Sequence, residues 1–169
     1  MAESSPDVRE AIAALLPRLR RFGRTLARHA EDADDLVQIA VEKALAHTEQ
    51  WQPGTRLDSW IFRIMQNAWI DETRVRERRN QTFVDEEAGE NVGVDTRNAQ
   101  IDAIAVRKAV AQLGDDQRVV VGLVLVEGLP YQEAADVLGI PLGTLTSRLA
   151  RARDTLQALL GDAKRGASP

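Results

Sequence analysis

Thr144, Ser147 and Arg151 recur at helical spacing in LGTLTSRLARARDTLQALL (142–160), with Asp154 on the same side and Thr146, Arg148 and Ala150 on the flanks. Leu142, Leu145, Leu149, Ala152, Leu156 and Leu159 form the opposite stripe, the pattern of an amphipathic helix. Short hydroxyls and arginines on an outward face suit a helix laid in the major groove. There they reach phosphates or base edges, and an arginine can bond guanine through two hydrogen bonds. The preceding PYQEAADVLG has Pro130 where a helix starts well and Gly139 where one should stop. A short Ile140-Pro141 turn follows, so the two segments have the spacing of a helix-turn-helix. A solvated basic face on a core helix is the plainer reading of 142–160 alone. The turn and the helix before it favour DNA.

A second constellation lies in the first half. Arg63, Asn67, Arg74 and Arg78 fall along one face of a helix expected from Asp58 to about Arg79, with Arg76 and Arg79 nearby. Leu57, Ile61, Ile64 and Ala68 form its other face, and Trp51, Trp60, Phe62 and Trp69 concentrate in and just before it. Charge that follows a backbone and flat rings that stack on bases are what a single-strand binder uses. For the tryptophans themselves, core packing is the favoured reading. A third pattern lies in 31–47, where Ala33, Leu36, Val37, Ala40, Val41 and Ala44 make an apolar stripe. Asp35, Gln38, Ile39 and Glu42 cluster on the other side, and an isoleucine among acids points to a partner surface.

These patterns need helices to carry them. Asp7 to His29 has apolar residues at helical spacing, interrupted by Pro17, where a kink is expected. Glu31 to His47 is a second helix, with Asp32 or Glu31 as its expected cap. Pro53-Gly54 marks a loop. Gln100 to Leu113 is a helix stopped by Gly114. The run RVVVGLVLVEG (118–128) has the composition of a strand. QTFVDEEAGENVGVDTRN (81–98) has no sustained periodicity and reads as a linker of about 20 residues. Residues 163–169 read as a frayed tail.

The 169 residues are 44% hydrophobic and 28% charged, a globular balance. No apolar run approaches the roughly 20 residues that cross a bilayer, and Met1 to Pro6 lacks the start of a secretory signal. A cytoplasmic protein with no membrane contact of its own is expected. The chain has no cysteine, and its two histidines, His29 and His47, are far apart. With no phosphate-cradling glycine loop either, neither metal, cofactor nor enzymatic activity is expected. The formal charge of −4 looks wrong for a DNA binder. It sits in the middle, however: residues 81–100 carry one base and five acids, whereas 1–80 carry 13 of each sign and 101–169 carry 8 of each. Neutral flanks can still present basic faces.

Three runs, in order, carry a family resemblance. DADDLVQ (32–38) resembles the polymerase-binding signature in region 2 of sigma-70-type factors. WQPGTRLDSWIFRIMQNAWIDE (51–72) resembles the promoter-melting stretch of their extracytoplasmic-function group (group IV). LGDDQRVVVGLVLVEGLPYQEAADVLGIPLGTLTSRLARARDTL (113–156) is similar to region 4 almost position by position. The resemblance implies an all-α chain: region 2 over 8–80, an acidic linker over 81–99 and a helix-turn-helix region 4 over 100–162. It also implies that 118–128 is helical. Asp34, Asp35, Leu36 and Gln38 would dock on bacterial core RNA polymerase, with Ile39 and Glu42 beside them. Ile39 stands where the family usually has an acid. Trp51, Arg56, Trp60, Arg63, Asn67, Arg74 and Arg78 would handle the melted −10 element, whose extruded base needs a pocket. Thr144, Thr146, Ser147, Arg148 and Arg151 would read the −35 element in duplex DNA, Thr146 replacing a residue that is often basic. An anti-sigma protein is the further partner implied. The alternatives are a stand-alone helix-turn-helix regulator, which leaves DADDLVQ without a role, and a sigma mimic that titrates an anti-sigma factor, which needs no basic recognition face.

Overall fold

The computed structural model describes residues 7–80 and 99–166, and among them there is no strand. Helix α1 (Val8–Leu26) is capped by Asp7, whose carboxylate accepts from the Arg9 backbone N–H at 3.1 Å. It runs through Pro17. Pro17 and Ala13, the residue whose carbonyl loses its helical donor, are both exposed, so water can serve that oxygen. Helix α2 (Ala30–Ala46) begins at His29 with no side-chain cap. The expected cap, Asp32 or Glu31, instead lies within the first turn, where a carboxylate complements the helix dipole. A 3-10 turn (Thr48–Gln50) and a loop lead into α3 (Leu57–Asn80).

The second half holds α4 (Ala99–Ala111), α5 (Asp115–Val121), α6 (Tyr131–Leu138) and α7 (Leu142–Gly166). The expected linker, 81–98, lies outside the described residues. The valine-rich run is helical and not a strand. After α5 it widens into a π-turn over Gly122–Val126, closed by Glu127 N–H donating to the Gly122 carbonyl at 2.9 Å. Residues 118–124 are all buried. A segment surrounded by α1 and α7 has no polar face to keep, and burial overrides the strand propensity of valine.

The halves are not separate bodies. One apolar cluster runs from Ile12, Leu19, Phe22, Leu36, Ile61, Phe62 and Met65 in the first half to Val120, Leu123, Ala134, Leu145 and Leu149 in the second. Phe22 and Phe62 pack as a tilted pair, ring centroids 4.9 Å apart at 59°, within the contact range of aromatic pairs. Gly122 meets α1 so closely that a β-carbon there would sit 3.1 Å from the Phe22 ring and 3.1 Å from the Thr25 methyl.

Candidate functional site

The helix-turn-helix is built as its punctuation requires. Gly139 ends α6 at φ 64°, a left-handed conformation that glycine adopts without strain, and its N–H closes onto Asp136 and Ala135 carbonyls. Ile140 N–H donates to the Ala135 carbonyl at 3.1 Å, and α7 starts two residues on. Leu145, Leu149 and Ala152 are fully buried, which fixes the roll of α7. Leu142, expected on the buried stripe, is 42% exposed, because it precedes the point where α7 meets the core. Thr146, Ser147 and Arg151 are exposed, with Thr144 and Arg148 half-buried beside them. Thr146 donates back to the Gly143 carbonyl. Ser147, Arg148 and Arg151 make no side-chain hydrogen bond or ion pair to another described residue, so they are available to DNA.

On α2 the acid-apolar face is real. Asp34, Asp35, Gln38, Ile39 and Glu42 are exposed, Ile39 at 39%, and Gln38 donates to Glu42 at 3.2 Å. Leu36 does not belong with them: it is completely buried. It supports the face from the core and cannot touch a partner. The N-terminal end of α2 is tied to α3 by Arg76, which donates to Asp32 at 2.8 Å and to Glu72 at 3.0 Å. Hydrogen bonding from Arg76 holds the Asp32 carboxyl below its ordinary range, against the effect of burial.

Four residues of the remaining set gather at a cleft. Trp51, Arg56, Trp60 and Arg63 line it together with Gln52, Ser59 and α6. Its volume is about 650 Å³. Trp51 and Trp60 are half-buried, each with a wall in the protein and an edge on the cleft. The Trp51 indole N–H is buried without a partner. Asn67, Arg74 and Arg78 are exposed further along α3, outside the cleft lining. Phe62 is fully buried and is core, not platform.

Sequence reasoning missed the charged network beneath the cleft. Asp58, 7% exposed, accepts from Arg56 at 2.9 and 3.1 Å, from Arg18 at 2.9 Å and from the Ser59 backbone N–H at 2.8 Å. Burial pushes its carboxyl up, but those hydrogen bonds outweigh burial and hold it below the ordinary range. The Arg18 guanidinium lies 5.4 Å from the Phe62 ring centroid and reaches Glu127 of the other half. Glu127, its side chain wholly buried, is held by Arg21 through two 2.8 Å bonds. One sequence signal could have found it: Glu127 is the only charge between Arg118 and Glu133, at the end of an otherwise apolar run.

The described residues form helices and no strand, with an exposed polar face on α7 and a cleft lined by Trp51, Trp60, two arginines and two acids, an arrangement of the sigma-70 type. Residues 12–66 match the family described as the Sigma2 domain of PhyR, and residues 103–156 match Sigma-70, region 4. The chain is 36% identical over 154 residues to the ECF RNA polymerase sigma factor EcfG of Rhodopseudomonas palustris, covering 91% of this chain and 85% of that protein. It is 37% identical over 144 residues to the ECF sigma factor SigM of Mycobacterium tuberculosis, covering 85% and 71%. Among solved structures, the sigma factor RpoE of Bartonella quintana, in complex with the anti-sigma factor NepR, superposes with a TM-score of 0.79 at 32% identity, over 92% of this chain and 97% of that one. The chain belongs to the ECF RNA polymerase sigma factors.

Proposed function

We propose that this protein directs bacterial core RNA polymerase to a set of promoters through three surfaces. The α2 face of Asp34, Asp35, Gln38, Ile39 and Glu42 docks on the polymerase. The cleft residues Trp51, Arg56, Trp60 and Arg63, extended by Asn67, Arg74 and Arg78, take the melted −10 strand. Thr144, Thr146, Ser147, Arg148 and Arg151 read the −35 duplex. Residues 8–80 and 100–162 form the corresponding region 2 and region 4. The protein acts by binding, not as an enzyme, and works in the cytoplasm where polymerase is. An anti-sigma factor is proposed as its inhibitor, by analogy with RpoE of Bartonella quintana.

The observation that carries this reading is α7. Its inward face is sealed by Leu145, Leu149 and Ala152, while Ser147 and Arg151 are exposed and uncommitted. In vitro transcription with core polymerase on a library of upstream regions is the test. Starts that appear only with the protein and share two spaced elements support it. Sequence-specific duplex binding by the protein alone, with no new starts, overturns it in favour of a stand-alone regulator.

A further inference from the structure

Arg56 reaches the cleft with its countercharge already attached. The turn over 52–55 closes with Thr55 N–H donating to the Gln52 carbonyl at 3.1 Å, and Gly54 takes a φ of 90° after Pro53, the pairing of a type II turn. That turn delivers Arg56 to the start of α3, where its carbonyl accepts from Trp60 N–H at 3.3 Å. Residues two apart inside a helix do not face each other. Arg56 precedes α3, however, and its side chain folds back over the first turn. Its Nε and Nη2 groups meet both oxygens of Asp58, at 3.1 and 2.9 Å, the paired fork in which arginine and carboxylate bind strongly. Asp58 also accepts from Arg18 at 2.9 Å. Burial disfavours its charged form, but the hydrogen bonds prevail and keep it ionised. Asp58 is buried and does not line the cleft, whereas Arg56 lines it with a side chain 41% exposed. The other arginines of the −10 set differ. Arg63 holds a backbone carbonyl, and Arg74 and Arg78 are exposed and form no ion pair with another described residue.

We propose that Asp58 is a specificity-determining residue that acts through Arg56: by holding that guanidinium with a full countercharge, it removes one phosphate attraction from the cleft and leaves the strand to be held there by its bases. This rests on the −10 assignment made above. A phosphate that drew Arg56 away would leave a buried carboxylate short of partners, which is costly, so the exchange gains little. Arg74 and Arg78 have no such opposing charge and can follow the strand's backbone outside the cleft lining. Phosphate attraction is the same for every sequence. A promoter with a poor −10 base gains most from it, because the best promoter captures its strand already. Neutralising the arginine beside Trp51 and Trp60 therefore keeps the poor promoter poor.

The test uses holoenzyme assembled from core RNA polymerase and the full chain. Anisotropy of a fluorescent mixed-sequence single-stranded oligonucleotide gives affinity from about 50 to about 200 mM salt. Asp58→Asn frees Arg56 for a phosphate. The plot of log affinity against log salt should steepen by about 0.7, and the gain at low salt should shrink about 2.6-fold across that range. Transcription from a promoter with one −10 base changed should rise relative to the unaltered promoter. The double variant Arg56→Gln/Asp58→Asn, which replaces both charges together, should return the native slope. A merely loosened cleft lowers affinity and leaves the slope alone, and that result overturns the proposal. Steepening that survives Arg56→Gln overturns it too, as does steepening without the relative gain of the altered promoter. If Asp58→Asn does not assemble with polymerase, the double variant decides. A native slope upholds the proposal, whereas a slope shallower by about 0.7 shows that Arg56 already serves a phosphate and overturns it. Trp60→Ala separates the two levels. If it leaves oligonucleotide binding and transcription unaltered, the −10 assignment itself falls; if it impairs both while the slope ignores Asp58→Asn, only the role of Asp58 falls.

Discussion

Asp58→Asn tests the charged network under the cleft with the smallest change of shape. The amide keeps the volume but loses the charge, and turns an NH2 group toward a guanidinium. In the native chain the carboxylate accepts four hydrogen bonds, three of them from the side chains of Arg18 and Arg56. Hydrogen bonds to a charged group contribute about 1.5–3 kcal/mol, and breaking a buried pair costs about 3–5 kcal/mol. The arginine side chains are 30% and 41% exposed, and water will solvate them in the variant. The expected loss near neutral pH is therefore about 2 kcal/mol, toward the lower end. The folded-state pKa of Asp58 is depressed below 3.8. Its contribution is therefore complete above the unfolded value and disappears as pH falls through the folded value. Urea denaturation of both proteins should show a constant gap from about pH 7 to about pH 5 that narrows below about pH 4. A gap under about 0.5 kcal/mol at neutral pH, or one that persists unchanged into acid, would refute the reasoning.

Arg151→Ala should weaken transcription from promoters that depend on the −35 element, by about tenfold if one base contact is lost, and leave polymerase binding intact in a pull-down. Asp35→Ala or Gln38→Ala should weaken polymerase binding first; equal loss of the same function by both classes would contradict the division of labour. Leu145→Ala, which empties a fully buried position under the recognition helix, should cost about 2–5 kcal/mol in urea denaturation. Arg76→Ala should let the Asp32 carboxyl rise toward its ordinary 3.8, read by carboxyl NMR. The stability that pairing gives is present above the unfolded pKa and lost in acid.

The helix-turn-helix was the most legible part of the sequence. Pro130, Gly139 and the leucine stripe of 142–160 are local signals, and local punctuation needs no distant partner to take effect. The exposed residues proposed for the −10 strand and for polymerase were legible as helix faces, because a solvent-facing stripe on a helix follows from period alone. What period cannot supply is which buried residue is merely core. Leu36 sits inside a family signature and is fully buried, and Leu142 continues a buried stripe yet lies outside the core. The helix over 115–126 was invisible to propensity, since valine favours strands until burial, here complete over 118–124, overrides that preference. Asp58, Arg18 and Glu127 gave almost no sign, because their partners lie 40 and 109 residues away.

The two sets proposed to bind DNA differ in a way that bears on the proposed mechanism. On α7 Ser147, Arg148 and Arg151 hold no side-chain partner among the described residues, so a duplex bound there would compete only with the Thr146 hydrogen bond to the Gly143 carbonyl. In the cleft, Arg56 and Arg63 already hold oxygen acceptors, so a strand must replace bonds of similar kind and gains only the difference. Non-specific phosphate attraction is shared by every DNA sequence, and such an exchange cancels much of it. Under the proposed −10 assignment, what remains is the fit of an extruded base against Trp51 and Trp60, a term that differs between sequences. A cleft that begins occupied therefore discriminates better than an empty basic groove with the same residues, at the cost of affinity for any single strand presented without the polymerase.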